Sequence, residues 1–457
     1  MSTKSDGSNN GASNGSSDAS DHPEYQSSLK RRAIQGSLWT LVGYGSAQIF
    51  RLGGNLILTR LLTPDAFGLM ALVQTFLTGL QLFSDFGVFP NIVHSKRGED
   101  ANFLNTAWTL QSIRGVLLWV GACLLAAPIA QFYKEPLLLQ LLPVTGLTAI
   151  MGGVVSTKLA IANRQLALKQ LTILEITTAF LSLLVTAVLA WIYRSVWALV
   201  IGNLVSTLLK TIASHWWLQG EPNQFCWDRS ALKEIQQFGR WIFISSMIGF
   251  FSLQSDRLIL GRLLDVRFLG IYTIALSLSS LVEQVVEQVN GKVLFPSYAE
   301  LIRERPEALY RHLRSARMIL LLLSAAFCLG FVLGGTSLIN VLYDDRYQEA
   351  GWILRVLSIG FLGRVLSTTY GDVLMARGMT FATMTLTLTG TCIQVSMILL
   401  GYFLSDYQGI IVGLAATDWI TYIAYAFCFA KLSLWQPELD VPAITLAVGL
   451  SAIVYFA

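Results

Sequence analysis

Long apolar stretches alternate with short polar ones along almost the whole chain. A membrane-spanning helix needs roughly 20 consecutive, mostly apolar residues, and twelve stretches of this kind follow one another after residue 28. They are centred near Tyr44, Gly79, Leu118, Gly146, Leu181, Gly202, Ile248, Leu278, Ala325, Ile359, Cys392 and Gly413. The pattern predicts an all-α, polytopic membrane protein with twelve or more transmembrane helices.

The polar stretches predict how the chain is divided. Residues 1–28 are rich in Ser, Gly and Asn and carry too little apolar surface to fold, which predicts a disordered cytoplasmic tail. A polar linker at residues 219–236 separates a first six-helix bundle, residues 29–218, from a second one, residues 237–432. Residues 433–457 form one more hydrophobic segment, which is either a partial or a thirteenth helix.

The two bundles share a sequence repeat. Residues 58–69 align with residues 260–271, and Gly202 aligns with Gly413 further along. Because each half has an even number of predicted helices, both halves insert with the same orientation, as parallel repeats related by an axis along the membrane normal. Such a pair encloses a central cavity, and rocking one half against the other alternates the access to it.

The loop charges predict the orientation. Lys and Arg concentrate in the loops on the same side as the N-terminus. Since basic loops stay in the cytoplasm, the N-terminus is expected to be cytoplasmic, in a multi-pass protein of the cytoplasmic membrane. The repeat aligns Arg114 with Arg317, and both are expected at the cytoplasmic edge, where they would act as anchors. Arg257 is expected at the outer edge.

Composition excludes several classes of protein. Charged residues make up 13% of the chain and apolar ones 54%, whereas soluble domains have about 25% charged residues. No alternation of basic and aromatic residues suggests nucleic-acid binding. The 5 cysteines and 4 histidines are scattered, and no metal-ligand, nucleophile or phosphate-loop motif is present. We therefore predict that the chain is not an enzyme and has no cofactor.

The repeated segments carry a family resemblance. RLLTPDAFG at residues 60–68, VWALVIG at residues 196–202 and RLLDVRFLG at residues 262–270 resemble the polysaccharide transporter family of Wzx-type flippases. That family belongs to the superfamily of the multidrug and toxin extruders and the lipid II flippase. The resemblance implies two bundles arranged as a V, a polyprenyl-pyrophosphate-linked oligosaccharide as cargo, and no covalent chemistry.

Four basic residues fall inside the predicted helices, namely Arg51, Lys210, Arg355 and Arg364. A cation in lipid costs roughly 2.5–3.5 kcal/mol even on insertion scales, so each should face a lumen or a partner. One interpretation is a cationic cavity that binds pyrophosphate, because Arg offers paired donors to phosphate oxygens. The alternatives are ion pairs between helices or, for Lys210, a side chain that extends to the membrane surface.

Acidic residues also fall inside the predicted helices. They are Asp85, Glu175, Glu283, Glu287, Asp372 and Asp418. Glu283 and Glu287 are four apart and share one helical face, and two close carboxylates do not both ionise cheaply away from water. With Asp85 and Asp418 they are candidates for coupling to H⁺ or Na⁺. The alternatives are pairing with arginines in the lumen or a position at the wet cytoplasmic mouth.

The sequence leaves three functions open. The first is ion-coupled flipping of lipid-linked oligosaccharide by alternating access, for surface polysaccharide synthesis. The second is a proton- or sodium-coupled antiporter of the multidrug type on the same architecture. The third is a membrane glycosyl polymerase or ligase, which would need a large external loop that the sequence does not contain. The expected partners are membrane lipid, the lipid-linked substrate and other membrane proteins of polysaccharide assembly, and the chain is expected to be a monomer.

Overall fold

The chain folds into a bundle of long helices. The structure, a computed structural model, describes residues 23–95 and 97–456, and regular structure in these residues is helical throughout, which confirms the all-α prediction. The helices are α1 (Pro23–Leu61), α2 (Pro64–Leu82), α3 (Val88–His94), α4 (Ala101–Tyr133), α5 (Leu138–Gly153), α6 (Lys158–Arg164), α7 (Leu168–Tyr193), α8 (Trp197–Trp216), α9 (Arg229–Leu263), α10 (Val266–Val289), α11 (Phe295–Glu304), α12 (Leu309–Leu342), α13 (Glu349–Ala376), α14 (Thr380–Lys431) and α15 (Pro437–Phe456).

The described residues include many potential membrane spans. Nine helices between residues 23 and 456 are long and apolar enough to cross a membrane, or ten if the bent pair of α5 and α6 is one span. α1 and α9, of 39 and 35 residues, fall outside this group because polar residues interrupt them. The backbone of α14 is not helical at Ser405 and Asp406, so α14 consists of two arms. The multi-pass fold is confirmed, and the number of twelve stays a prediction.

The first helix of each bundle begins earlier than the sequence predicts. α1 begins at Pro23, so residues 23–28 belong to this helix rather than to a disordered tail, and residues 1–22 lie outside the described residues. Proline suits the first turn of a helix because its fixed φ is already helical. The linker ends at Asp228, whose carboxylate caps α9 by accepting a hydrogen bond from the Ser230 backbone N–H, so residues 229–236 are helical as well.

The repeat is visible in the contact between α2 and α10. Gly68 lies so close to Val266 that an added Cβ would overlap the Val266 carbonyl oxygen. Gly270 lies in the same way against the carbonyl oxygen of Pro64. In the repeat, Gly68 aligns with Gly270 and Pro64 aligns with Val266. Each of the two contacts is therefore the counterpart of the other. This reciprocity is what parallel repeats about a two-fold axis produce.

Substituting these two glycines tests how closely α2 and α10 must pack. We expect Gly68→Ala or Gly270→Ala to destabilise the protein by about 1–3 kcal/mol, because the new methyl group has to displace backbone rather than a side chain. Thermal unfolding of the purified chain in detergent measures the effect. Gly330→Ala on α12 is the control, since its added Cβ meets nothing within 4 Å. Equal melting temperatures for Gly68→Ala and Gly330→Ala would contradict the prediction.

The last hydrophobic segment is an integral part of the second half. α15 packs against α12 and α13. Its Asp440 is fully buried and forms an ion pair with Arg317 of α12, with Nη2 2.7 Å from Oδ1. Arg317 is thus buried under α15, and its expected position at the cytoplasmic edge stays a prediction. Arg114, its counterpart in the first half, has no such cover and lies 3.6 Å from Asp85.

The halves meet at both ends of the bundle. We call the end with the turns between α1 and α2 and between α9 and α10 the turn end, and the opposite end the linker end. At the turn end the buried hydroxyl of Tyr347 donates a hydrogen bond to the carbonyl oxygen of Leu62, at 3.1 Å. At the linker end Arg97 lies 3.0 Å from Asp228. Hydrogen bonds from Arg97 and then from Ser230 lower the pKa of Asp228 to about 2, so this carboxylate is ionised at neutral pH.

Candidate functional site

A cavity of about 570 Å³ lies within the second half. Its walls come from α9, α10, α13 and α14, and Arg51 of α1 is the residue that the first half contributes. This position differs from the expected cavity on the axis between the halves. The glycines of α2 and α10 bring the halves into contact at the turn end, and α9 packs both onto α2 and α4 of the first half and onto α14 of the second.

Hydroxyl groups cover much of the cavity wall. They belong to Ser252, Thr273, Ser277, Ser279, Ser280, Ser367, Thr368, Thr387, Thr417 and Thr421. The amides of Gln284 and Gln394 lie among them. Eight of these ten hydroxyls donate to a backbone carbonyl oxygen of their own helix, all except those of Ser252 and Thr421. Their oxygens can still accept hydrogen bonds, and the amides can both donate and accept. Such a wall can bind a polar molecule with many hydroxyl groups of its own.

Arg364 lies on the cavity wall between two carboxylates. Its Nη1 is 3.1 Å from Glu283 of α10, and its Nε is 3.0 Å from Asp418 of α14. The Arg364 side chain is 43% exposed, so it faces the cavity while it joins three helices. Arg364 therefore lines the cavity and forms the ion pairs between helices that were the alternative interpretation, while pyrophosphate binding by this residue stays a prediction. Its positive charge is offset by the two carboxylates, which leaves less attraction for an anion.

Two other arginines in the cavity have no carboxylate partner. No carboxylate of the described residues lies within 4.0 Å of Arg51 or Arg257, and the Arg257 side chain donates a hydrogen bond to Gln254 at 2.7 Å. The sequence places Arg257 at the outer edge, and the structure corrects this, because α9 continues to Leu263. At about 1.5 Å per residue, Arg257 lies roughly 9 Å inside that helix end.

The other predicted site residues are divided between the cavity and the rest of the fold. Glu287 lines the cavity near Glu283. Arg355 does not line it and donates a hydrogen bond to the carbonyl oxygen of Val332, at 2.9 Å. Lys210 is exposed on α8 and lies outside the lining. Asp85 is also outside it, beside Arg114.

The structure adds an acidic residue that sequence reasoning missed. Asp256 of α9 is 6% exposed and accepts a hydrogen bond from the hydroxyl of Tyr272, at 2.5 Å. Its other carboxylate oxygen has no hydrogen-bond partner among the described residues. The signal was available, because Ser252 and Asp256 are four apart and share one helical face.

The cavity is therefore electrically mixed rather than uniformly cationic. Its ionisable side chains in the described part of the chain are Arg51, Arg257 and Arg364, with Asp256, Glu283, Glu287 and Asp418. Arg364 is neutralised within its own ion pairs. The positively charged side chains that are available to an anionic ligand are Arg51 and Arg257, which lie on helices of different halves.

Comparison with known sequences shows similarity to proteins of polysaccharide assembly. A family model described as "Polysaccharide biosynthesis protein" matches residues 57–351. The lipopolysaccharide biosynthesis protein WzxC of Escherichia coli (strain K12) is 20% identical, over 93% of this chain and 89% of its own length. The teichuronic acid biosynthesis protein TuaB of Bacillus subtilis (strain 168) is 24% identical, over 77% of this chain and 72% of its own length.

Solved structures share the fold at low sequence identity. The lipid II flippase MurJ in an inward closed conformation superposes with a TM-score of 0.71 at 12% identity, over 93% of this chain and 92% of its own. An inward-facing multidrug resistance MATE transporter of the MOP superfamily gives 0.70 at 13% identity, over 86% and 94%. These matches confirm the two-bundle transporter fold that the sequence predicts.

Proposed function

The chain belongs to the polysaccharide biosynthesis protein family, and on this premise we propose that it flips a lipid-linked oligosaccharide across the cytoplasmic membrane. The observation that carries the proposal is the cavity, in which two arginines, without carboxylate partners among the described residues, share a wall with many hydroxyl groups. Pyrophosphate and glycan are the two polar parts of such a lipid. Relatives named for lipopolysaccharide and teichuronic acid biosynthesis support this cargo.

Arg51 and Arg257 are the groups that we assign to the pyrophosphate. Guanidinium groups bind phosphate oxygens through paired, charge-assisted hydrogen bonds. Because Arg51 belongs to the first half and Arg257 to the second, a bound pyrophosphate would connect the two halves. The hydroxyl wall would bind the sugars in place of water, while the prenyl chain stays in the bilayer. The chemistry is transport alone, with no covalent step and no cofactor.

Coupling to an ion gradient is assigned to the acidic side of the same cavity. Arg364 holds Glu283 and Asp418, while Glu287 and Asp256 line the cavity without an ion pair among the described residues. A proton or Na⁺ that binds to Glu283 or Asp418 would weaken the ion pair of that carboxylate with Arg364. The positive charge of Arg364 would then attract the cargo. Asp85 is left out of this proposal because it lies outside the cavity.

Alternating access would come from separation of the halves at the turn end. We assign this end to the outside of the cell and the linker end to the cytoplasm, as the distribution of Lys and Arg predicts. In the structure Tyr347 and Arg346 of the second half close the turn end by donating hydrogen bonds to backbone carbonyl oxygens at the end of α1. Opening must break these bonds. We further propose that the chain acts as a monomer.

Removing the Tyr347 hydroxyl should favour opening of the turn end. Tyr347→Phe leaves the buried carbonyl oxygen of Leu62 without its donor, which costs about 1–3 kcal/mol in the closed state. We expect the fraction of molecules with an open turn end to be several-fold larger. Distances between two electron-spin labels placed across the turn end, in a cysteine-free background, measure this fraction. Tyr193→Phe, at an exposed position of α7, is the control. Unchanged distance distributions in Tyr347→Phe would contradict this role.

A reconstituted translocation assay tests the function itself. Proteoliposomes with the full chain and a fluorescent, prenyl-pyrophosphate-linked oligosaccharide are compared with protein-free liposomes, and a membrane-impermeant glycosidase reports which glycans have crossed. We expect transfer that depends on the protein and increases with an imposed H⁺ or Na⁺ gradient. No transfer under either gradient would overturn the proposal. Exchange of a cationic dye without lipid transfer would instead support the multidrug-type antiporter, which the cavity carboxylates favour.

A further inference from the structure

A second, almost entirely apolar groove of about 700 Å³ runs along the seam between the halves at the turn end. We call it the seam groove. Its apolar lining includes Phe76, Ile129 and Phe132 from the first half and Leu258, Leu263 and Leu399 from the second. Phe132 and Leu399 are 56% and 40% exposed, so the groove opens laterally. The seam groove shares no lining residue with the cavity of the second half.

The seam groove lies beside the end of α4, on one side of the two-fold axis. On the other side, the loop after α12 is longer and contains a 3₁₀ turn, Asp345–Tyr347. Tyr347 of this turn is buried between the halves, in ring contact with Phe67. The corresponding loop after α4, at residues 134–137, is shorter and has no such turn. The groove therefore lies beside the shorter of these two loops.

One charged group faces the seam groove. Arg262 lines it and lies 5.2 Å from the centroid of the Phe132 ring, which fixes the guanidinium at the rim. No carboxylate within 4.0 Å pairs with it among the described residues. Arg262 is one residue before the end of α9, and arginine side chains near helix ends extend to the polar interface of a bilayer. The groove therefore combines an apolar channel with a cation at its outer end.

We propose that the seam groove binds one acyl chain of an anionic phospholipid from the surrounding bilayer, with the lipid phosphate at Arg262. The surface lies among lipid-facing side chains, so acyl chains are the apolar molecules that reach it. The volume is within the range of about 300–1,000 Å³ that is typical of ligand sites. The guanidinium matches an anionic headgroup rather than a neutral one.

Lipid retention measured by native mass spectrometry tests the site. The full chain is stripped of lipid in detergent and titrated with phosphatidylglycerol or phosphatidylcholine. We expect one tightly retained phosphatidylglycerol in the wild type and about tenfold lower occupancy in Leu399→Trp, whose indole fills the groove. The matched control is Leu400→Trp, because Leu400 is also exposed on α14 but does not line the groove. Arg262→Gln should abolish the preference for phosphatidylglycerol over phosphatidylcholine.

Three results would overturn the assignment. The first is wild-type retention in both Leu399→Trp and Ile129→Trp, which fill the groove from opposite walls. The second is equal retention of the two phospholipids by the wild type. The third is displacement of phosphatidylglycerol by equimolar prenyl phosphate, which would make the groove a site for a prenyl chain. Melting temperatures of the tryptophan variants establish that they are folded. Failure of lipid binding would leave the translocation assay unaffected, so the two proposals are tested separately.

Discussion

Replacing Asp440 by alanine is expected to cause the largest loss of stability among single substitutions in the second half. The change leaves Arg317 buried without its carboxylate, and removing one partner of a buried ion pair costs about 3–5 kcal/mol. It also removes the acceptor for the hydroxyls of Tyr370 and Tyr422, which lie 2.9 Å and 2.8 Å from Asp440. Thermal unfolding of the purified chain in detergent measures the loss, and limited proteolysis shows whether α15 detaches.

Two further variants separate the ion pair from its surroundings. Glu438→Ala breaks the ion pair between Glu438 and Arg314, whose side chains are 61% and 51% exposed, respectively. We expect the free energy of unfolding to change by about 1 kcal/mol or less. The double variant Arg317→Met/Asp440→Leu replaces both charges by apolar groups and should recover the part of the loss that comes from the unpaired Arg317, while the loss of the acceptor for Tyr370 and Tyr422 remains. A melting temperature of Asp440→Ala equal to that of Glu438→Ala would show that the pair does not hold α15.

Removing Arg51 or Arg257 is expected to have the largest effect on translocation. Each guanidinium would contribute charge-assisted hydrogen bonds to the pyrophosphate, worth about 1.5–3 kcal/mol, so Arg51→Gln or Arg257→Gln should lower the initial rate about ten- to a hundredfold at subsaturating lipid. The double variant should lose more than either single one. The glycosidase-protection assay in proteoliposomes measures the rates, and glutamine keeps the polar character of each position.

Matched controls come from arginine and lysine residues outside the cavity. Arg355→Gln and Lys210→Gln remove cations that the sequence also suggested for this role, but the structure places both outside the lining. We expect them to retain close to wild-type transfer. Transfer that is unchanged in both Arg51→Gln and Arg257→Gln would sink the pyrophosphate assignment. A loss in Arg355→Gln as large as in Arg51→Gln would show that the effect is structural.

The fold could be predicted from sequence because lipid imposes strong rules on composition. Spanning helices need long apolar stretches, so hydropathy finds them even when tertiary contacts are unknown. The repeated Arg-Leu-Leu motif and the aligned Gly68 and Gly270 predicted a two-fold relation, and the structure shows these glycines in reciprocal contact. Hydropathy identified α1 and α9 less clearly. These helices carry polar residues that face the cavity or the other half, and such residues lower the hydropathy of the helix.

The site was predicted less well, because one sequence does not show which helices pack together. Arg257 and Arg317 both lie near the ends of apolar stretches, so both suggested membrane edges. The depth of Arg257 depends on where α9 ends, and the burial of Arg317 depends on α15, whose start is far away in the chain. Arg364 was placed correctly in the lumen, but its two carboxylate partners lie on other helices. Their pairing appears only in three dimensions.

The ion pair between Arg317 and Asp440 has a consequence for biosynthesis. Its two residues are 123 positions apart in the chain. At roughly 5–20 residues per second of translation, the ribosome reaches Asp440 about 6–25 s after Arg317. The early second half therefore enters the membrane with an Arg317 guanidinium that is not yet paired with its carboxylate. Insertion factors that shield polar residues would be most needed in that interval, and a ribosome stalled before Asp440 would leave an intermediate that quality-control proteases can recognise.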